Sequence, residues 1–129
     1  MTAIKLVDVT LRDGMHTVAH SFVPHRVATV AAAIDGAGVD VLEMSHGDGL
    51  GGSSIQYGIA AAGDLQLVEA AVASVTRTRV AVLLLPGIGT LELLKQAHTA
   101  GPPRSRALQR TAPRPTSRNN TSSGRATTA

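Results

Sequence analysis

The segment DVTLRDGMH, residues 8–16, decides how the rest of the chain is interpreted. It follows a short apolar run at residues 4–7 and precedes a helical pattern that begins near Pro24, so it is predicted to end a first strand and form the loop after it. In α/β sheets and barrels, the carboxyl ends of the strands and the loops that leave them form the ligand site. The segment therefore brings carboxylates, a guanidinium and an imidazole to one such position.

Strand and helix patterns alternate over roughly the first hundred residues. Helical spacing predicts helices over residues 24–37, after Asp64, which is expected to cap its helix, and over residues 90–98. Residues 39–44 and 79–85 read as strands, and three βα units in series predict a parallel sheet. The predicted apolar helix faces are Val27, Val30, Ala31 and Ile34 in the first helix, and Leu65, Leu67, Val68, Ala71 and Val72 in the second.

The glycine-rich loop over residues 45–63 is longer than most connections between a strand and a helix, and loops of this length are usually functional or disordered. Its residues 47–52, GDGLGG, also fit the G-x-G-x-x-G dinucleotide fingerprint. That fingerprint requires a helix that opens directly from the glycines, whereas this loop continues to about Gly63. An active-site loop in which glycines allow close approach to a ligand is the favoured interpretation.

The string D-x-T-L-R-D-G resembles the first-strand signature of the metal-dependent aldolase and lyase superfamily that includes hydroxymethylglutaryl-CoA lyase and isopropylmalate synthase. The extension to Met15 and His16, with LEMSHGDGLGGSS at residues 42–54, is more narrowly similar to the 4-hydroxy-2-oxovalerate aldolases. The resemblance implies a TIM (β/α)8 barrel, which typically needs about 250 residues. A chain of 129 residues would therefore hold an incomplete barrel, its first three βα units within residues 1–100.

The resemblance also implies a reaction: retro-aldol cleavage of a 2-oxo acid, 4-hydroxy-2-oxovalerate, into pyruvate and acetaldehyde with Mn²⁺ or Mg²⁺. Asp13 matches the family position that ligates the metal and contacts substrate, and a hard carboxylate suits either ion. Arg12 matches the residue that binds substrate and stabilises the enolate. His16 matches the family's general base, and an unperturbed imidazole pKa of about 6.5 is in the useful range for that role. Another superfamily lyase or an acyl-CoA condensing enzyme is the nearest alternative, which the Gly-Met-His string argues against.

The family completes its site with residues for which this chain has no match. It uses a His-x-His pair from a later strand, and a tyrosine and a serine from the second half of the barrel. None of the remaining histidines has the His-x-His spacing, and they are predicted to be surface or loop residues: His20, His25, His46 and His98. The chain by itself is therefore expected to be inactive. The resemblance further implies an acylating acetaldehyde dehydrogenase as partner and a place in aromatic or sterol ring degradation.

Composition narrows the function classes. With no cysteine the chain has neither disulfides nor thiolate metal sites, and no apolar run reaches the roughly 18 residues of a membrane span. One Phe, one Tyr and no Trp leave little to stack on nucleic-acid bases. A cytoplasmic protein that binds neither membrane nor nucleic acid is therefore the expectation.

Residues 101–129 differ in character from the rest. They carry six Arg and no acidic residue, whereas residues 1–100 carry six Lys or Arg and nine Asp or Glu. With Leu108 as the only large apolar residue, this tail is predicted to be disordered. A frameshift near Gly101 is the favoured origin, because codons compatible with residues 107–128 can spell, in a neighbouring frame, a string similar to the family's next strand and helix. The alternative is a non-catalytic binding protein whose Arg-rich tail contacts nucleic acid or acidic membranes.

Overall fold

The computed structural model describes residues 3–100 and, as backbone only, residues 108–111. Strands and helices alternate as the sequence predicts. The elements are β1 (Val7–Asp8), α1 (Pro24–Gly36), β2 (Val41–Glu43), α2 (Asp64–Ser74), β3 (Arg79–Leu84), α3 (Leu91–Thr99) and β4 (Leu108–Thr111), with a short 3₁₀ helix at Asp13–Met15.

The strands form one parallel sheet in the order β1-β2-β3-β4. Val7 pairs with Val41, and Leu42 pairs with Val80. A helix lies between each pair of consecutive strands, and the strand order never reverses. The predicted parallel sheet is confirmed, and its sequential order fits part of a TIM-barrel-like domain.

The core lies between the sheet and the helices. The apolar faces predicted for α1 and α2 are confirmed: Val27 and Ala31 of α1 are fully buried, and α2 buries four consecutive face positions. Leu42, Val80 and Val82 complete the core from the strands. None of the described helices is both long and apolar enough to cross a membrane.

The first strand is shorter and more exposed than predicted. Only Val7–Asp8 pairs with β2, and Ile4 and Leu6, which precede it, are exposed. β1 lies at one edge of the sheet within the described residues. An apolar run at such an edge has a neighbouring strand on one side only, which explains why it is not buried here.

β4 corrects the prediction of a disordered tail at four positions. Residues 108–111 pair in parallel register with β3, from Ala81 to Leu84. Strand pairing uses backbone N–H and C=O groups that every residue except proline supplies in full, so a segment with few large apolar residues can still form an edge strand. The rest of the predicted tail lies outside the described residues, and the frameshift stays a prediction.

Candidate active site

The segment that follows β1 is tightly wound. The Val9 carbonyl accepts hydrogen bonds from the backbone N–H groups of Arg12 at 3.1 Å and Asp13 at 2.8 Å. Leu11 and Met15 are fully buried and anchor the turn in the core. Because these two side chains point inward, the polar residues between and beside them are presented at the carboxyl end of the sheet.

Arg12 joins the ends of β1 and β2. Its Nε donates to Glu43 Oε2 at 2.9 Å, and its Nη1 donates to the Gly47 carbonyl at 3.3 Å. The Glu43 side chain is 1% exposed and that of Arg12 is 18% exposed. Guanidinium and carboxylate are thus paired in a mostly dry environment, where a charge-assisted hydrogen bond fixes orientation strongly.

Asp13 is the outward member of the segment. Its side chain is 64% exposed, and Oδ1 accepts a hydrogen bond from Arg12 Nη1 at 3.3 Å. An accessible carboxylate beside a fixed guanidinium has the donor chemistry of a hard-cation ligand. One carboxylate rarely holds a divalent ion without further ligands.

The glycine-rich loop lies directly against His16. A Cβ added at Gly47 would be 2.5 Å from His16 Nε2 and 2.6 Å from Cε1, closer than real Cβ atoms approach. Gly49 has φ +95° and its added Cβ would be 2.9 Å from the Leu83 carbonyl. Position 49 therefore requires glycine, whereas a side chain at position 47 would displace the exposed His16 ring, and the loop forms one wall of the site.

His20 is buried beside His16. It is 6% exposed, and its Nε2 has no hydrogen-bond partner among the described residues. Its ring stacks on the His46 ring, with the ring centroids 3.8 Å apart and the ring planes at 5° to each other. The His16 ring meets it edge-on, with the centroids 5.1 Å apart. Burial, followed by the neighbouring His46 and His16, lowers the pKa of His20 below its ordinary value.

His46 has both ring nitrogens engaged. Nδ1 accepts a hydrogen bond from the backbone N–H of Asp48 at 3.1 Å, so Nε2 carries the proton and donates to the Gly58 carbonyl at 2.8 Å. Its backbone N–H donates to Asp64 Oδ1 at 2.8 Å. His46 is therefore held in one tautomer and one position.

Three side chains at this edge form a group that could hold a metal ion: His16, His20 and Asp48. One nitrogen or oxygen from each lies within 4.8 Å of the others. Asp13, the predicted metal ligand, is not a member of this group. Both features lie at the carboxyl end of the same sheet.

The structure brings Arg12, Asp13 and His16 to one edge, as the sequence predicts, while their chemical roles stay predictions. His25 and His98 are exposed at the surface, and His20 and His46 lie in loops, so each has one of the two predicted settings; the burial of His20 and His46 was not predicted. Glu43 was not among the predicted site residues. Its signal was its position at the end of β2, next to the end of β1 in a parallel sheet.

Residues 3–123 match the HMGL-like family model. The chain belongs to the HMGL-like family. The resemblance on residues 8–16 and 42–54 is thereby confirmed. In this HMGL-like chain the match continues past α3 and includes β4.

Three curated relatives of this HMGL-like chain share one activity name. It is 54% identical over 98 residues to the 4-hydroxy-2-oxovalerate aldolase of Pelotomaculum thermopropionicum, covering 76% of this chain and 29% of that protein. It is 52% identical over 99 residues to the enzyme of that name from Moorella thermoacetica, covering 77% and 29%. It is 55% identical over 98 residues to 4-hydroxy-2-oxovalerate aldolase 2 of Nocardia farcinica, covering 76% of this chain and 28% of that protein. The chain thus spans less than a third of the length of these relatives.

The dinucleotide alternative receives no support from the loop. After Gly52 the backbone contains turns and an isolated bridge between Ser54 and Gly58, and the next helix begins at Asp64. A phosphate-binding fingerprint would place a helix N-terminus directly behind the glycines. Asp64 also differs from its predicted role as a helix cap, because its carboxylate accepts hydrogen bonds from the loop amides of His46 and Gly51.

Proposed function

We propose that this chain forms the first part of a metal-dependent (β/α)8 aldolase that cleaves 4-hydroxy-2-oxovalerate to pyruvate and acetaldehyde. The observation that carries the proposal is the fixed Arg12 guanidinium, paired with buried Glu43, at the same edge as His16 and Asp13. The names of the curated relatives supply the substrate.

The cleavage has three chemical requirements. A base must remove the proton of the C4 hydroxyl, the C3–C4 bond must break as the aldehyde forms, and the electron pair must be accommodated as pyruvate enolate. A cationic donor placed where the enolate oxygen develops charge stabilises the transition state more than the ground state.

His16 and Arg12 meet the first and third requirements. The His16 imidazole is exposed and accepts the hydroxyl proton at a ring nitrogen. The Arg12 guanidinium is held by Glu43 and the Gly47 carbonyl, so its N–H groups are oriented toward the enolate without reorganisation during the reaction. The backbone at Gly47 lies against the His16 ring and prevents it from moving in that direction.

Asp13 would hold the metal in this proposal. When bound, Mn²⁺ or Mg²⁺ supplies Lewis-acid polarisation of the substrate 2-oxo group. The exposed Asp13 carboxylate fits such an ion in donor type, but a hard cation requires several oxygen or nitrogen ligands. The group of possible ligands found among the described residues does not include Asp13, so we expect the chain alone to have no measurable aldolase activity.

The cellular setting belongs to the same proposal. Acetaldehyde is volatile and reactive, so an acylating acetaldehyde dehydrogenase that consumes it is the expected partner of the complete enzyme. Degradation of aromatic or sterol rings in the cytoplasm is the setting that we propose for the reaction.

A chimera tests the proposal. The matching 98 residues of the Pelotomaculum thermopropionicum relative are replaced by those of this chain, and pyruvate release is measured with Mn²⁺. We expect an active chimera in which Arg12→Lys, Asp13→Asn and His16→Asn each lower kcat/KM by about 10²-fold or more. His98→Asn, on the exposed side of α3, is the matched control. An active chimera that tolerates all three site substitutions would overturn the assignment.

A further inference from the structure

We propose that His16, His20 and Asp48 form a second metal site, selective for nitrogen-preferring divalent ions such as Zn²⁺ and Co²⁺. It is distinct from the ion that Asp13 would hold for catalysis. The proposal stands on the geometry of the three side chains and does not require the aldolase activity.

The first observation is the convergence of ligand atoms. One atom from each of His16, His20 and Asp48 lies within 4.8 Å of the other two. In tetrahedral zinc sites, with metal–nitrogen bonds of about 2.0–2.1 Å, neighbouring ligand atoms are roughly 3.4 Å apart. The site must therefore contract by up to about 1.4 Å, and exposed His16 and half-buried Asp48 have room to rotate inward.

The second, independent observation is the unpartnered nitrogen of His20. His20 is only 6% exposed, and its buried Nε2 has no hydrogen-bond partner among the described residues. Leaving a buried polar atom without a hydrogen bond is unfavourable, so such atoms usually have a ligand, an ion or water as partner. A divalent ion coordinated by this nitrogen would supply that partner.

The surroundings hold His20 in place for this role. Its backbone N–H donates to the Met15 carbonyl at 2.8 Å, and its carbonyl accepts from the Ala61 N–H at 2.9 Å. Its φ of +56° is a left-handed conformation that few non-glycine residues adopt. The His46 ring, stacked at 3.8 Å, restrains the imidazole plane. His20 is the rigid ligand toward which the other two close.

His46 supports the site without joining it. Both of its nitrogens are engaged, with the Asp48 N–H and with the Gly58 carbonyl. The first of these hydrogen bonds fixes the backbone of Asp48 beside the stacked rings. His46 therefore acts on the metal site by orienting two of its ligands, as the second layer of residues does in other metal sites.

The donor set determines the preferred ion. Two imidazoles and one carboxylate leave a fourth position for water, and nitrogen ligands favour Zn²⁺, Co²⁺ and Ni²⁺ over Mn²⁺ and Mg²⁺. If the proposed function holds, Zn²⁺ at this site would occupy the His16 nitrogen needed as a base and would inhibit the reaction. This consequence rests on the proposed function, whereas binding itself does not.

The test is a Co²⁺ titration of the metal-free 129-residue chain, read from the visible d–d bands of the bound ion, followed by displacement with Zn²⁺. We expect one tight ion per chain and no displacement by excess Mg²⁺. His20→Asn, which keeps a residue tolerant of positive φ, and Asp48→Asn should each weaken Co²⁺ binding at least about tenfold. His98→Asn, a histidine outside the cluster, should leave it unchanged.

Two results would overturn the proposal. The first is Co²⁺ affinity unchanged in both His20→Asn and Asp48→Asn, with circular dichroism matching the parent chain. The second is that Asp13→Asn loses Co²⁺ binding while Asp48→Asn binds Co²⁺ as tightly as the parent chain. That result would place the ion at the predicted catalytic position instead. Because neither readout uses turnover, an inactive chimera would contradict the aldolase proposal and leave this one standing.

Discussion

Arg12 and Glu43 connect the carboxyl ends of two neighbouring strands through a 2.9 Å hydrogen bond from Nε to Oε2. The carboxylate is almost completely buried, so its charge is compensated inside the protein rather than by water. Removing one member of such a pair leaves the other poorly solvated. The pair therefore links the stability of the sheet edge to the orientation of the guanidinium.

We predict that Glu43→Gln lowers the free energy of unfolding by about 1–3 kcal/mol, because a neutral amide is a weaker acceptor for the guanidinium. In the chimera, the same substitution should lower kcat more than it raises KM, since Arg12 would be misoriented. Urea denaturation and pyruvate release measure the two effects. Glu69→Gln, on the exposed side of α2, is the control, and equal behaviour of the two variants would contradict the role of the pair.

We predict that Gly47→Ala moves the His16 ring while it changes the stability of the fold little. The new methyl group would lie 2.5–2.8 Å from three atoms of the imidazole, so the ring must swing away. Because His16 is exposed, we expect a stability change within about 0.5 kcal/mol. Activity of the chimera should fall about tenfold or more, as expected when a base loses its position.

Gly36→Ala provides the comparison for this experiment. No atom lies within 4 Å of a Cβ added there, and the residue ends α1. Alanine in a helix is about 0.5–1 kcal/mol more favourable than glycine, so this variant should be as stable as the parent or more so, with unchanged activity. A Gly47→Ala chimera with full activity would show that the His16 position is unimportant.

The regular part of the fold was accessible from the sequence. The helical spacing of Val27 and Ala31 places both on one face, and burial of a continuous apolar strand follows from its covered position in a parallel sheet. The position of Arg12, Asp13 and His16 at a strand end followed from the motif alone. These features depend on local periodicity, which a single sequence records.

The missed features depend on contacts between distant segments. Glu43 looks like a solvent-exposed residue at a strand end until Arg12 is placed beside it. His20 is buried because Ala19 and His20 both adopt positive φ, at 50° and 56°, which neither residue type signals. β4 pairs through its backbone, so its side-chain pattern gave no indication of it.

Asp64 shows how a correct position can carry a wrong role. It begins α2, where an acidic residue is favoured by the helix dipole, yet its carboxylate accepts hydrogen bonds from His46 N–H at 2.8 Å and Gly51 N–H at 2.7 Å. It therefore fastens the glycine-rich loop to the start of a helix. Its partners are 18 and 13 residues away in the chain.

We predict that Asp64→Asn loosens this loop while the helices stay intact. The asparagine amide has one oxygen, whereas two backbone N–H groups need an acceptor. Its NH2 group would face one of these N–H groups, and two donors cannot form a hydrogen bond. Amide hydrogen exchange at His46 and Gly51 should become about tenfold faster, corresponding to about 1.4 kcal/mol of local stability. The amide of Val27 in α1 is the internal control. Equal acceleration at all three amides would indicate global destabilisation rather than a loop anchor.

Asp35, in the last turn of α1, connects this helix to the segment that enters β3. Its carboxylate accepts hydrogen bonds from the backbone N–H groups of Thr78, Arg77 and Thr76 and from the Thr76 hydroxyl, at 2.8–3.1 Å. These hydrogen bonds, those from Thr78 and Arg77 first, hold the pKa of Asp35 well below its usual range. The charged form of the Asp35 carboxylate is therefore more stable in the folded chain than in the unfolded chain.

This difference fixes the pH dependence of Asp35→Asn. The folded pKa lies below the unfolded value of about 3.9, so the stabilisation is complete above that value and is lost as the pH falls toward the folded pKa. At pH 7 the variant should be about 1–3 kcal/mol less stable, and the gap should narrow below about pH 4. Urea denaturation between pH 2.5 and 7 measures it, with Glu69→Gln as control. A gap that stays constant over this range would mean that the Asp35 charge does not stabilise the fold.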